Sequence, residues 1–234
     1  MPTRQDIFQR AEVLLGQSTM EMMARTRVII FGIGGVGSWC AEALVRTGIQ
    51  HLTIVDFDRV DVTNVNRQLM ATSKTIGEVK VEALRKRLLT INPEAEITVI
   101  AETFSAESAS KFRLEEYDYI IDAIDSLKDK ALLILMACQT KAKFFSSMGA
   151  ALKLDPTRIQ VAEFWKVKGD PLARALRNRF KKEKTFPRHK FQCVFSDETP
   201  QSKGEGKGSL VHITAVFGMM LAGLVIQDLS NVER

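Results

Sequence analysis

The stretch Arg27 to Gly37, "RVIIFGIGGVG", constrains the fold more than any other part of the 234-residue chain. Val28, Ile29, Ile30 and Phe31 are apolar without alternation, as in a strand covered on both faces within a parallel sheet. Glycines at 32, 34, 35 and 37 then mark a tight turn. "SWCAEALVRTG" follows, with Ala41, Leu44 and Val45 at helical spacing and Gly48 placed as a C-cap. Gly32, Gly34 and Gly37 fit G-x-G-x-x-G between strand and helix. Bare backbone there can approach phosphate, and the helix N-terminus adds partial positive charge. Asp56 ends the next apolar run, "HLTIVDFD", where a carboxylate can bind ribose hydroxyls. The pattern indicates a nucleotide site and leaves the nucleotide open.

The alternation continues downstream. "KVEALRKRLLTINP" reads as an amphipathic helix stopped before Pro93, "AEITVIAE" as a third strand and "YDYIIDAID" as a fourth. "SLKDKALLILMACQT" reads as a helix and "KAKFFSSMGA" as a fifth strand. Strands alternating with helices imply a parallel sheet with right-handed crossovers. Upstream, Arg4 to Ala24 reads as helix broken at Gly16. After Ala150, "TRIQVAEFW" and "KFQCVFSDE" read as strands of mixed or antiparallel pairing. Between them lies a basic helix whose inner face is marked by Ala173, Leu176 and Phe180. "TPQSKGEGKGS" reads as a mobile loop, followed by an apolar helix that packs back on the sheet. The expectation is one α/β domain over residues 1–234, a mainly parallel sheet flanked by helices and continued by antiparallel strands. Its parts are a helical arm at 1–25, a nucleotide-binding core at 26–150 and a substrate side at 151–234.

A content of 45% hydrophobic and 26% charged residues suits a globular chain and excludes a disordered one. Cys40, Cys138 and Cys193 form no paired motif, so neither a disulfide framework nor a zinc site is expected, in keeping with a reducing cytoplasm. The N-terminus carries charges throughout and has no signal-peptide core. Leu210 to Leu229 is about long enough to span a bilayer. His212, Asp228 and two glycines within it favour a buried core helix over a membrane-associated tail. Between Lys166 and Lys190 there are ten Lys/Arg and two acids, so this segment holds +8 of a chain whose net charge is +5, and the remainder is −3. Charge concentrated in this way marks either a polyanion partner or a solvated helix face.

"DFDRVDVTNVNRQLMATSKTIGEVKVEAL" supplies Asn64, Asn66, Arg67, Gln68 and Lys80. A dinucleotide's pyrophosphate usually rests on backbone and a helix terminus. A triphosphate attacked at its α-phosphorus gathers more charge, which Arg and Lys side chains neutralise. Asp122 and Asp125 come at the end of the fourth strand, on the edge where open α/β sheets bind ligands. Asp125 can hold Mg²⁺ against phosphates there. Hydride transfer has no use for such a carboxylate, which weighs against a nicotinamide oxidoreductase.

The motifs "GIGGVGS", "DFDRVDVTNVNRQ", "GEVKVEA" and "DAIDS", in that order between Val28 and Ala150, resemble the ubiquitin-activating-enzyme-like superfamily, the ThiF/MoeB adenylyltransferases. The resemblance implies a Rossmann-like adenylation fold, ATP and Mg²⁺ as cofactors, and adenylation of a carboxylate. It implies that Gly32, Gly34, Gly35 and Gly37 hold the phosphates and Asp56 the ribose. Asn64, Arg67, Gln68 and Lys80 would contact phosphates, and Asp125 would coordinate Mg²⁺. Arg10, in "FQRAEVLLG", falls where the family carries an arginine that reaches into the partner subunit's ATP site, which implies a homodimer. The catalytic set on this reading is Arg67, Lys80, Asp125 and Arg10.

Members of this superfamily commonly carry a four-cysteine zinc site and activate the C-terminus of a ubiquitin-like or sulfur-carrier protein. Paired cysteines are missing here, so zinc is not expected and that activity is the alternative. "SSMGAALKLDPTRIQVAEFWKVKGDPLARALRNRFKK" and "CVFSDE" resemble instead the tRNA threonylcarbamoyladenosine dehydratase branch. That resemblance implies ATP-dependent cyclisation of N6-threonylcarbamoyladenosine in tRNA through a carboxyl-adenylate. It gives Arg174, Arg177, Arg179, Lys181, Lys182, Lys184, Arg188 and Lys190 a role in neutralising the tRNA backbone. A sulfur-transfer partner of the cysteine desulfurase system is left open. Cys193 reads as a small buried strand residue rather than a thiol acceptor. His189 reads as an RNA-backbone or surface group and His212 as a satisfied core histidine, neither with a catalytic role.

Overall fold

The structure, a computed structural model, describes residues 4–201 and 204–231. Seven strands run Arg27–Phe31 (β1), His51–Val55 (β2), Glu96–Ile100 (β3), Tyr119–Asp122 (β4), Lys143–Ser147 (β5), Ile159–Glu163 (β6) and Gln192–Ser196 (β7). They form one sheet in the order β3-β2-β1-β4-β5-β7-β6. Every neighbouring pair is parallel except β6 with β7. The two strands after residue 150 pair antiparallel with each other and β7 also lies parallel beside β5, so the pairing there is mixed, as expected. The parallel pairing of β7 follows from the helix Pro171–Glu183 (α6), which carries the chain back along the sheet before β7 begins.

The other helices are Arg4–Leu15 (α1), Gln17–Arg25 (α2), Gly37–Thr47 (α3), Lys80–Ile91 (α4), Leu127–Ala137 (α5) and Val211–Asn231 (α7). The break between α1 and α2 falls at Gly16, and Gly48 ends α3 in the left-handed region, both as the sequence implies. The core has two halves, one on each face of the sheet. Val28 and Ile30 enter one with Leu44, Leu84, Phe217 and Leu221. Ile29 and Phe31 enter the other with Phe112, Leu133, Ile134 and Phe180. Both faces of β1 are thus covered, which is why its apolar run does not alternate.

Helix α7 is long and apolar enough to cross a bilayer by length and composition alone. Here its inner face, with Phe217, Leu221 and Val225, is buried against the sheet and α3. Gly218 allows the closest approach, because a Cβ there would overlap the Val36 carbonyl. The expected return of this helix onto the sheet is observed. His212 differs from its expected place in the core. In the first turn of α7, Ile213 and Thr214 take the buried face, so His212 is left exposed and its Nε2 lies 3.1 Å from the Leu154 carbonyl. The expected mobile loop falls partly outside the described residues, at 202 and 203. Its flanks are tied to one residue: Leu152 N–H donates to Gly208 O and Gln201 N–H to Leu152 O, both at 2.9 Å.

Candidate active site at the carboxyl edge of the sheet

The glycine turn leaves β1 at the carboxyl edge. At Gly32, φ is +85° and a Cβ would lie 2.7 Å from the Ala123 carbonyl. At Gly37 a Cβ would overlap the Gly32 carbonyl. These two glycines let the turn close on itself and on the chain leaving β4. Gly34 has no such neighbour: the nearest atom to a Cβ there is Gln68 Nε2, at 4.0 Å. The space that its missing side chain leaves is open, as a phosphate cradle requires. Asp56 braces the turn by accepting from Ile33 N–H at 2.7 Å and from Asp58 N–H at 3.0 Å. Ser38 Oγ donates to Gly34 O and accepts from Leu69 N–H, and Trp39 Nε1 donates to Arg67 O. The segment carrying Asn64, Arg67 and Gln68 is thereby fastened beside the glycines.

Within that segment Asn64 is buried, and its Oδ1 accepts from Asp61 N–H at 3.1 Å. Arg67 is half-buried and donates to Thr63 O and Asn66 Oδ1, both at 2.8 Å. Gln68 is buried, and its Oε1 has no hydrogen-bond partner among the described residues. Its Nε2, the nearest atom to the open space at Gly34, is a donor from which a nucleotide's phosphate could accept. Lys80 is buried at the start of α4, with Nζ 2.8 Å from Asp58 Oδ2. The sequence motif containing two aspartates divides in three dimensions. Asp122 ends β4 fully buried, paired with Lys130 and Ser146. Asp125 stands exposed in the loop before α5, with no hydrogen bond or ion pair among the described residues.

No group of three or more His, Cys, Asp or Glu placed to hold a metal occurs among the described residues. Asp125 is accordingly a single carboxylate. One carboxylate is a donor set that magnesium can use, since it takes most of its ligands from phosphates and water. Cys193 is fully buried, and burial pushes its thiol well up, which removes it as a nucleophile.

Other expected residues lie away from this cluster. Arg10 is exposed on α1 and makes no hydrogen bond or ion pair with any of them. Helix α6 begins at the carboxyl edge, where Asp170 accepts from Ala173 N–H at 2.8 Å and Gly149 N–H at 3.0 Å. Its 13 residues then run about 20 Å toward the opposite edge, where the chain enters β7. Arg174 is therefore at the carboxyl edge, while Lys181, Lys182, Lys184, Arg188 and Lys190 are exposed at the far end with His189. Arg177 donates to Phe164 O at 3.0 Å and Arg179 pairs with Glu183 at 3.0 Å, so both are engaged within the fold.

Sequence reasoning missed four buried charges on this edge, Lys130, Lys153, Asp170 and Glu198. Lys130 shares a helical stripe with Ile134 and Ala137, and a lysine on an apolar stripe is a signal that could have found it. Lys153 Nζ donates to Ser196 O and Glu198 O, and burial holds its ammonium below the usual range. Glu198 accepts from the N–H groups of Leu154 and Asp155. Burial likewise pushes Asp170 above the usual carboxylate range.

Residues 8–234 match the ThiF family. The chain is 36% identical over 240 residues to the tRNA threonylcarbamoyladenosine dehydratase of Bacillus subtilis, spanning 95% of this chain and 94% of that protein. It is 40% identical over 233 residues to the protein of the same name from Haemophilus influenzae, spanning 90% and 89%. Its structure resembles the crystal structure of E. coli tRNA N6-threonylcarbamoyladenosine dehydratase in complex with ATP, with a TM-score of 0.90, 36% identity and coverage of 96% and 94%. A family match over residues 8–234, a fold shared at a TM-score of 0.90 and identity spread over about nine-tenths of the chain have one explanation: the chain belongs to the ThiF family, among its members named tRNA threonylcarbamoyladenosine dehydratase.

Proposed function

We propose that this chain is an ATP-dependent dehydratase that closes a ring in N6-threonylcarbamoyladenosine of tRNA through a carboxyl-adenylate. The observation that carries the reading is the span of the likeness. It covers the substrate side as well as the nucleotide core, over about nine-tenths of relatives that bear that name. The alternative, activation of a ubiquitin-like or sulfur-carrier protein, has no comparable support from the part of the chain after residue 150.

A threonine carboxylate is a poor electrophile. Its oxygen attacks the α-phosphorus of ATP, the bond to the β-phosphate breaks, and pyrophosphate leaves. A neighbouring atom of the same side chain then attacks the activated carbonyl and gives up its proton, and AMP leaves with the former carboxyl oxygen. The nucleoside is one water lighter. The second step is intramolecular, so holding the reactive conformer is most of what it requires. No protein nucleophile is involved, consistent with three buried cysteines.

In this reading Gly32, Gly34, Gly35 and Gly37 present backbone N–H groups and the α3 N-terminus to the phosphates. Asp56 receives the ribose hydroxyls. Arg67 and Lys80 neutralise charge that grows on the α-phosphate, with Asn64 and Gln68 orienting the chain of phosphates. Asp125 is the residue that would hold magnesium, which lowers the charge repulsion met by an incoming carboxylate. The exposed cations from Arg174 to Lys190 form a strip down the flank of α6, suited to a tRNA arm lying along it. The helical arm, nucleotide core and substrate side act as one domain. A homodimer would bring Arg10 to the partner's site. With ATP and tRNA as its reactants, the activity is expected where both occur together, in the cytoplasm.

The deciding experiment incubates the protein with ATP, Mg²⁺ and tRNA bearing the threonylcarbamoyl group, then weighs the nucleosides. Loss of one water is expected. Unchanged nucleoside together with robust adenylation of a carrier protein would sink this reading in favour of the alternative.

A further inference from the structure

Beneath the loop that carries Asp125 lies a buried ion pair that touches no reactant. Asp122 and Lys130 are both fully buried, with Nζ 2.8 Å from Oδ2. Lys130 also donates to the Ile124 carbonyl at 2.8 Å. Asp122 accepts from Ser146 Oγ at 2.6 Å and from Ile124 N–H at 3.0 Å. Ile124 is therefore gripped at both its N–H and its carbonyl, one residue before Asp125. On the other side of the grip, Ala123 N–H donates to Phe31 O at 2.8 Å and its carbonyl faces Gly32. Ser126 then caps α5 by accepting from Asp129 N–H.

Burying two charges is costly, and apolar side chains of similar volume often serve stability as well or better. Here, apart from the Ser146 hydroxyl that anchors Asp122 to β5, the bonds that the pair makes beyond itself go to Ile124, in one loop. Being mutually neutralised, the pair exerts little net field on Asp125 and acts on it through geometry. The free carboxylate of Asp125, on an exposed loop, otherwise has nothing to hold its direction.

We propose that Lys130, together with Asp122 and Ser146, is a positioning residue that aims Asp125 at the metal–triphosphate, so that a side chain in contact with neither decides how strongly magnesium assists ATP binding. The inference rests on the role given to Asp125 above. Partners behind a metal ligand are typically worth tenfold or more in metal affinity.

Calorimetric titration of the full chain with ATP, in Mg²⁺ and in EDTA, reads the effect without relying on turnover. In the wild type Mg²⁺ strengthens ATP binding, and Asp125→Asn loses most of that gain. Lys130→Met, shown to be folded by circular dichroism, is expected to lose about tenfold or more of the gain while binding ATP in EDTA as the wild type does. The double variant Lys130→Met/Asp125→Asn is expected to be no worse than Asp125→Asn alone. Ser146→Ala, which removes one bond to Asp122, is expected to show a smaller loss of the same kind and stands in if Lys130→Met does not fold. A wild-type magnesium gain in the folded variant, or losses that simply add in the double variant, would overturn the proposal. A wild-type gain in Asp125→Asn would overturn the reading of Asp125 as well, which separates the two failures.

Discussion

At Gly37 a Cβ would overlap the Gly32 carbonyl, whereas at Gly34 it would meet only Gln68 Nε2, 4.0 Å away. The fold needs the first glycine; the proposed phosphate cradle needs the second. Gly37→Ala is expected to lower stability by about 1–3 kcal/mol, since neither backbone can yield. Gly34→Ala is expected to unfold within about 0.5 kcal/mol of the wild type yet to weaken ATP binding. Denaturant unfolding and ATP titration of the two variants test this. Equal destabilisation, or wild-type ATP binding by Gly34→Ala, would mean that Gly34 does not line the cradle. The spacing of these glycines was legible in the chain, but their division of labour was not, because it depends on Ala123 and Gln68. The two aspartates of "DAIDS" teach the same point. They look alike in sequence, and only burial against Lys130 tells Asp122 from Asp125.

At the scale of elements, α6 shows how far a charge count reaches. Ten cations in one segment were plain to read. That Arg177 and Arg179 would be engaged within the fold, and that the others would extend toward the opposite edge from the glycine turn, followed from the crossover into β7. Charge reversal at Lys181 and Lys182 is expected to weaken tRNA binding and to reduce its logarithmic salt dependence by about 2, one unit for each lost phosphate contact. ATP binding should not change, because the reversed charges lie at the far end of the helix. An unreduced salt slope in a binding assay from low to moderate salt would remove the end of α6 from the RNA surface. Helix α7 was legible as an apolar segment that returns to the sheet as a core helix rather than entering a membrane. Its place against α3 depends on a glycine that lets two backbones meet.

For the whole molecule, the open question is the neighbour that completes the site. Val13 and Leu14 are 85% and 83% exposed on α1, three and four residues after Arg10 and so on the same helix face. A second copy covering these side chains would carry Arg10 across with them. Sedimentation is expected to find a dimer. Mixing Arg10→Ala with Asp125→Ala protein, each inactive alone, is expected to restore about a quarter of wild-type turnover, since half the dimers are hybrids and each hybrid keeps one intact site. A monomer, or no restoration after exchange, would take Arg10 out of the catalytic set.

Local patterns along the chain were enough to determine the alternation of strands and helices, the glycine turn, the carboxylate after β2 and the run of cations. Each is a property of neighbours within a few residues, governed by spacing and by backbone preference. The tertiary structure alone decided that β7 joins the parallel sheet, that His212 is exposed, that Asp122 is a buried anchor, and that Lys130 stands beneath the Asp125 loop. Those outcomes depend on which distant segments share a face of the sheet. Burial fixes the fate of a charge, and burial is a property of the packed whole.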